Sequence, residues 1–415
     1  MSAISSTVPN CRFCATPLTH TFVDLGPTPL ANSYVTQADV DAGKDRKFSL
    51  HARVCPSCFL VQVDDSVPPD AIFSDYAYFS SYSDSWVEHA KRYAQAMTER
   101  FGLGKNSLVV EVASNDGYLL KHFVAEGIPV LGVEPAANVA KAAVAIGVPT
   151  EVAFFGEACA QDLVHRGHSA DLTAANNVLA HVPDILDFAK GFATILKPQG
   201  VSTFEFPHVL NLIREIQFDT IYHEHFSYLS LVAVEKVFAK AGLRVFDVEK
   251  LPTHGGSLRL FACRADAQLR ETQRLRDLRG EEKAAHLDSL AGYEGFAPKV
   301  AEVKRGFLAF LAKAKAEGKK VAAYGAAAKG NTFLNHCGVT NADIVCVYDR
   351  SREKQNHLLP GSHIPILAPE RIGETRPDYL VILPWNLATE ISGQMAKIRG
   401  WGGQFVTAIP QIRIF

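Results

Sequence analysis

The run from Ser107 to Phe123 limits what this chain can fold into more than any other stretch. Ser107-Leu108-Val109-Val110-Glu111-Val112 is a short apolar segment of the kind that forms a buried strand. Ala113-Ser114-Asn115-Asp116-Gly117 is a tight polar loop, and Tyr118-Leu119-Leu120-Lys121-His122-Phe123 has helical spacing. Strand, tight loop and helix together open a parallel sheet whose ligands bind at the loop. The next expected strand, Ile128 to Val133, ends in Glu134, where a carboxylate can accept both ribose hydroxyls of an adenosine. A dinucleotide dehydrogenase would carry G-x-G-x-x-G here, but this loop has only Gly117, so a pyrophosphate would lack its close backbone approach. The same alternation returns at Val321 to Thr332, with further strands expected at Ile344 to Tyr348, Tyr379 to Leu383 and Gly403 to Thr407. The fold class is therefore α/β with two parallel sheets, and 415 residues leave room for two to four domains.

Upstream of the first sheet lie two C-x-x-C pairs, Cys11-Cys14 and Cys55-Cys58. Four thiolates at ribbon spacing suit a tetrahedral zinc ion, and an all-cysteine set implies a closed, structural site. A redox dithiol is the weaker alternative, because two pairs at this spacing seldom serve redox work. Metal ligation would supply folding energy that so small a module cannot draw from apolar burial. Gly26, Pro27 and Pro29 break any long helix between the pairs, and Phe48 to Val54 alternates as a strand entering the second pair. Cys159, Cys263, Cys337 and Cys346 are scattered, as small buried hydrophobes are.

A formal charge of −2 gives no sign of a nucleic-acid surface. Neither a signal-like N-terminus nor an uncharged run near the ~18 apolar residues of a membrane helix is present, so no membrane partner and a cytoplasmic location are expected. Helices are expected at Trp86 to Arg100, Leu269 to Arg279 (stopping at Gly280) and Val300 to Ala316, the last two as a connector.

The densest chemistry is Ile221-Tyr222-His223-Glu224-His225-Phe226-Ser227-Tyr228. An imidazole beside a carboxylate and phenols holds the parts for taking a proton from carbon next to a carbonyl. Two other readings fit the same residues, a metal site using His223 and His225 on one strand face, or polar residues at a helix start.

Glu111, the loop after it and Glu134 resemble the class I S-adenosylmethionine-dependent methyltransferases. Asp171 to Asp184 looks like that fold's fourth-strand region, Phe154-Phe155 like the end of its third strand near the adenine, and Leu196 to Val201 like the turn into its fifth. Ala113 and Asn115 depart from the usual E-x-G-x-G-x-G. The same loop, the cysteine pairs, the Tyr76-Tyr78-Ser80-Ser81 segment, Tyr222-x-Glu224-His225 and His254-Gly255-Gly256-Ser257 resemble, in that order, the C-methyltransferases acting on nucleotide-linked 4-ketodeoxysugars.

The resemblance implies a zinc-binding module over 1–72, a methyltransferase domain over 73–250 and a Rossmann-like domain over 251–415 that holds the nucleotide-sugar. S-adenosylmethionine would meet Tyr76, Ser80, Glu111, Ala113, Asn115, Gly117, Glu134, Phe155, Asn176 and Asn177, with structural zinc on the four cysteines. The sugar nucleotide would meet Tyr222, His254, Gly256, Lys329, Asn331, Asp349 and Lys354. His225 would take the C3 proton, Glu224 would orient or polarise an imidazole or another partner, and Tyr222 or His181 would bind the C4 oxygen. His223 receives no role. The aromatic segment around Tyr76 would close over the cofactor or pack between domains. An O- or N-methyltransferase, or an interaction protein on a silent methyltransferase fold, are the competing classes. A monomer or weak dimer is expected.

Overall fold

The computed structural model describes residues 8–64 and 79–415. Tyr76 and Tyr78 lie outside the described residues, as does the expected boundary near 72. The N-terminal strands are β1 (His20–Pro29), β2 (Lys47–Val54) and β3 (Val61–Val63). Next come β4 (Val109–Val112), β5 (Val130–Val133), β6 (Thr150–Glu151), β7 (Ala170–Asn176), β8 (Leu196–Pro207), β9 (Ser227–Tyr228), β10 (Leu243–Leu251) and β11 (Ser257–Arg264). The C-terminal strands are β12 (Val321–Tyr324), β13 (Val347–Tyr348), β14 (Ile366–Leu367), β15 (Tyr379–Ile382), β16 (Gln404–Thr407) and β17 (Arg413–Ile414).

The middle sheet runs β10-β11-β8-β7-β4-β5-β6. Strands β4 to β8 are parallel, and β11 turns antiparallel against both β8 and β10. Strand order reverses at β4, which lies between β5 and β7, so the crevice for a ligand opens at the carboxyl ends of β4 and β7. The C-terminal sheet, β14-β13-β12-β15-β16-β17, has its own reversal at β12, and only β17 is antiparallel. Its crevice opens past β12 and β15.

The N-terminal sheet borrows a strand from far along the chain. Its order is β1-β2-β3-β9, with Val61 opposite Tyr228 and Gln62 opposite Ser227. The histidine-rich segment is thereby the edge of the zinc module's sheet, although about 165 residues separate the partners in sequence. Packing follows the same pattern. One core joins Phe22, Leu50 and Val61 of the N-terminal sheet to Phe218 and Ile221 and to Phe333, Val347 and Val406 of the C-terminal domain. A second joins Cys11, Cys55 and Cys58 to Phe206, Leu229 and Val234 of the methyltransferase domain.

Helix Asp84–Phe101 fits the expected span, with the Ser83 side chain capping Trp86 N and Gly102 ending it at φ +60°. The helix expected to stop at Gly280 instead runs Gln273–Ala284. A glycine inside a helix costs about 1 kcal/mol, and the turn beyond it is held by Glu282. That buried carboxylate accepts from Leu231 N at 2.7 Å, from Val232 N at 2.9 Å and meets His208 Nε2 at 2.7 Å, capping the helix Leu231–Lys240 that follows β9. The longer connector is Phe296–Ala316, four residues earlier than expected. No helix among the described residues is long and apolar enough to cross a membrane.

Candidate functional site

The four cysteines meet. Their sulfurs all lie within 4.8 Å of one another, with Cys11 Sγ to Cys58 Sγ at 3.6 Å and Cys14 Sγ to Cys55 Sγ at 3.5 Å. Those separations suit a tetrahedral ion with Zn–S bonds of ~2.3 Å. The two knuckles share one geometry: Ala15 N–H donates to Cys11 O and Phe59 N–H to Cys55 O, and Ala15 and Phe59 are left-handed at φ +58° and +63°. Gln62 Nε2 donates to Cys11 Sγ at 3.2 Å, the outer support that metal thiolates commonly have. This is the only group of three or more metal-binding side chains among the described residues, so the alternative of a metal on His223 and His225 gains no third ligand.

The crevice at β4 is built from unusual backbone. Ala113, Asn115 and Gly117 all take positive φ, at +57°, +50° and +78°. The two departures from glycine therefore keep the glycine conformation, and only Gly117 does so without strain. A Cβ on Gly117 would press on Val148 and Ala143 at 3.1 to 3.2 Å. Glu134 holds the loop through both carboxylate oxygens, accepting from Asn115 N and Ala136 N at 2.9 Å. Burial raises its pKa despite those two donors. Glu111, at the end of β4, is pushed well above the usual carboxylate range, by burial first and then by Glu134 and Asp116, with the Tyr118 hydroxyl opposing.

Ser80 N–H donates to Asn115 Oδ1 at 2.9 Å and Ser81 N–H to Asp116 Oδ2 at 3.1 Å, so the segment before the first helix is tied over the loop. Beyond β7, Asn177 is left-handed at φ +54°, and its Oδ1, like Asp116 Oδ1, is buried without a partner among the described residues. Unmet acceptors beside two acidic groups call for donors and positive charge. The ribose hydroxyls, ammonium and sulfonium of S-adenosylmethionine supply them, so the residues fit that cofactor. Phe155 packs into Phe188 and Phe192, whereas Phe154 is 56% exposed.

The histidine-rich segment crosses between the two crevices. His225 Nδ1–H donates to Thr220 O at 2.8 Å, and His181, on the turn after β7, donates its Nδ1–H to Glu224 O at 2.8 Å. A carbonyl can only accept, so both neutral imidazoles carry their proton on Nδ1 and present Nε2 as a lone pair. The two rings lie 4.7 Å apart, and Tyr222 lies 3.9 Å from His225. Burial drives His225 well below its ordinary pKa, helped by His181, His254 and Lys329, and drives His181 down to about 4. Both are neutral at pH 7.

Of the partners expected for the Glu224 carboxylate, an imidazole or another group, the described residues supply Asn32. The carboxylate accepts from Asn32 Nδ2 at 3.0 Å, and burial raises its pKa to about 7. The orienting falls to main-chain carbonyls, that of Thr220 before the tight turn at Tyr222 to His225 and that of Glu224 within it. His223, the residue without an expected role, donates Nε2–H to Ser49 O and fastens the segment to β2.

Residues expected to meet the sugar nucleotide divide into two groups. His254 and Lys329 sit on the cleft, near enough to His225 to disfavour its protonation. His254 is left-handed at φ +54°, with Nε2 at 3.5 Å from Asn177 Nδ2. Gly256 has φ +110°, and a Cβ there would strike Asn211. Lys329 donates to Asn386 Oδ1 at 2.6 Å and lies 4.9 Å over Trp385. The others shape the loop after β12: Asp349 accepts from Ala326 N at 2.7 Å, Lys354 donates to Ala326 O at 2.9 Å, and buried Asn331 donates to Ala31 O at 2.6 Å.

Sequence reasoning missed Asp219, Asn32, Trp385 and the trio of half-buried His89 with buried Glu205 and Arg259. Glu205 meets His89 Nε2 at 2.9 Å and Arg259 Nε at 2.7 Å beneath the cofactor crevice. A signal existed for Asp219, a lone acid in the apolar stretch before Tyr222. None existed for Asn32, whose partner is 192 residues away.

This fold, with an acceptor-lined crevice at the β4 reversal, defines a class I S-adenosylmethionine-dependent methyltransferase with a zinc-binding module and a C-terminal sheet domain. Three family models match in order: a zinc binding domain at residues 11–73, a methyltransferase domain at 86–248 and a C-methyltransferase C-terminal domain at 252–410. The chain is 35% identical over 414 residues to C-methyltransferase NovU of Streptomyces niveus, spanning 100% of this chain and 98% of that relative. It belongs to this C-methyltransferase family. Similar solved structures include an S-adenosylmethionine-dependent methyltransferase from Clostridium acetobutylicum, 12% identical, TM-score 0.35, covering 42% of this chain and 91% of that one. Another is magnesium protoporphyrin IX methyltransferase from Synechocystis, 14% identical, TM-score 0.33, covering 47% and 88%.

Proposed function

We propose that the enzyme adds a methyl group to C3 of a nucleotide-linked 4-ketodeoxysugar. The observation that carries this is a pair of neutral imidazoles presenting Nε2 lone pairs at the junction of two ligand crevices. A C3 hydrogen is acidic only when its electron pair can spread onto the C4 oxygen, so the chemistry needs a base at C3 and a donor at that oxygen. His225 Nε2 takes the proton. The C–H electron pair becomes the enolate, whose oxygen accepts from the Tyr222 hydroxyl. His181 cannot be that donor while neutral, since its single N–H is spent on Glu224 O, so the choice between Tyr222 and His181 falls to Tyr222. S-adenosylmethionine, when bound, supplies the electrophilic methyl that C3 attacks. Lys329, at the helix start after β12, lies on the side where the C-terminal crevice would hold the diphosphate.

The test is incubation in deuterated water with S-adenosylmethionine and a panel of TDP-, GDP- and CDP-linked 4-ketodeoxysugars, followed by mass spectrometry and proton NMR. Expected are deuterium entry at C3 and a gain of one methyl group, both abolished by His225→Asn. Methyl transfer to oxygen or nitrogen, or full C3 exchange by His225→Asn, would overturn the reading.

A further inference from the structure

Trp385 follows β15 in the C-terminal domain, yet it touches three parts of the site. Its indole N–H donates to Asp219 Oδ2 at 2.8 Å. Its ring edge lies against Gly255, where an added Cβ would come within 2.5 Å of Cη2, and its face carries Lys329. Asp219 is 1% exposed and sits in the turn Phe218–Thr220. The next residue, Thr220, supplies the carbonyl that holds His225 Nδ1–H, and the Thr220 amide is among the groups favouring the Asp219 carboxylate. That turn is also tied by Thr220 Oγ1 to Gln217 O at 2.7 Å, and Gln217 Nε2 reaches Gly255 O at 2.8 Å.

We propose that Asp219 and Trp385 are a positioning pair, by which the C-terminal domain sets the Thr220 carbonyl and so fixes the tautomer and direction of His225. This rests on the reading of His225 as the base. The physical reason is economy of contact: a carbonyl in a three-residue turn has no lattice of its own, and a peptide that tilts by some tens of degrees loses the Nδ1–H bond. A C-terminal domain docked through Trp385 therefore carries an aligned base, and one that is not docked leaves the imidazole free to change tautomer. The pair links a crevice suited to a nucleotide with a proton transfer made by another domain.

Long-range ¹⁵N–¹H correlation spectra of ¹⁵N-histidine-labelled protein read the tautomer directly, with the His225 signals assigned by their loss in His225→Asn. The native protein is expected to show the Nδ1–H form, and Trp385→Phe, which keeps the ring but deletes the donor, a mixture of both tautomers. Asp219→Asn keeps an acceptor for the indole and should keep the native pattern. Asp219→Leu should mix the tautomers.

In the C3 exchange assay Trp385→Phe should lower kcat roughly tenfold with KM little changed. Its acid limb should also move down in pH, because the Thr220 carbonyl is the contact that raises the basicity of His225. The titratable groups facing that imidazole are His181 after β7, His254 after β10 and Lys329, with Tyr222 and Tyr228 on its own segment. An unchanged tautomer in both Trp385→Phe and Asp219→Leu would overturn the proposal even if His225→Asn abolishes exchange. Full exchange by His225→Asn would instead remove the base assignment and leave the tautomer result standing.

Discussion

Strain at Ala113 is the clearest single-residue consequence of the cofactor loop. A left-handed alanine costs about 1 kcal/mol relative to glycine, so Ala113→Gly should raise stability by about that amount in chemical denaturation. The fixed side-chain amide of Asn115 offers a reason not to change that neighbour, since it holds Ser80 N–H. Glu224 carries a cost of another kind. Its folded pKa of about 7 exceeds the ordinary 4.5, so the folded state takes up a proton first as pH falls. Stability from this group therefore rises between pH 7 and 4.5, and above pH 7 the full cost of the buried charge remains. Glu224→Gln should stabilise the protein by 1 to about 3 kcal/mol at pH 8 and flatten its stability across that window, read by urea melts at several pH values. His181, lowered to about 4, acts with the opposite sign: its contribution is lost as pH falls below its ordinary 6.5.

Among the elements, β9 is the strand that joins the cysteine module's sheet from far along the chain. It is two residues long and, among the described residues, pairs with β3 alone, the strand that leaves the second cysteine knuckle. Because zinc binding in a small ribbon is folding energy on the order of 10 kcal/mol, stripping the ion should loosen β3 and then β9. Elemental analysis should give one zinc per chain. Chelation should lower Tm and suppress methyl transfer, although no cysteine lies in the acid–base cluster, and readdition of zinc before aggregation should restore both. Retention of full activity in metal-free protein would show that β9 stands without its sheet. Helix Gln273–Ala284 makes a related point, since Glu282 extends it past a glycine in order to cap the helix following β9.

On the scale of the whole molecule, the expected domains do not own separate interiors. Phe22 stacks on Phe296 at 4.4 Å, Tyr34 donates to Ala326 O at 2.6 Å, and His363 meets Asp45 at 2.7 Å, so the N-terminal sheet packs on the C-terminal domain. A chain lacking residues 1–64 would expose the apolar face against which Phe333 and Val347 pack. Hydrogen exchange by mass spectrometry should then show lost protection in β12, β13 and β15, while Val109 and Val110 of β4 and Ala170, Leu172 and Ala174 of β7, which lie in cores without residues 1–64, keep theirs. Unchanged protection in the C-terminal strands would mean that they form an independent unit.

What the residues alone determine is local: periodicity, turn chemistry and ligand spacing need no distant partner, so the two sheets, an adenosine-binding turn and the cysteine quartet were legible at Ser107 to Glu134, at Val321 to Thr332 and at the C-x-x-C pairs, while the cofactor itself came from the family resemblance. The mixed end of the middle sheet at β10 and β11, the helix running on past Gly280 and the borrowed strand β9 were not. Each depends on contacts between residues tens to hundreds of positions apart, where apolar burial decides between pairings that periodicity leaves equal. The same holds within the site. Composition could gather Tyr222, Glu224 and His225, and the family resemblance added His181, but which nitrogen of each imidazole bears the proton depends on where two main-chain carbonyls point, and only the packed tertiary structure determines that.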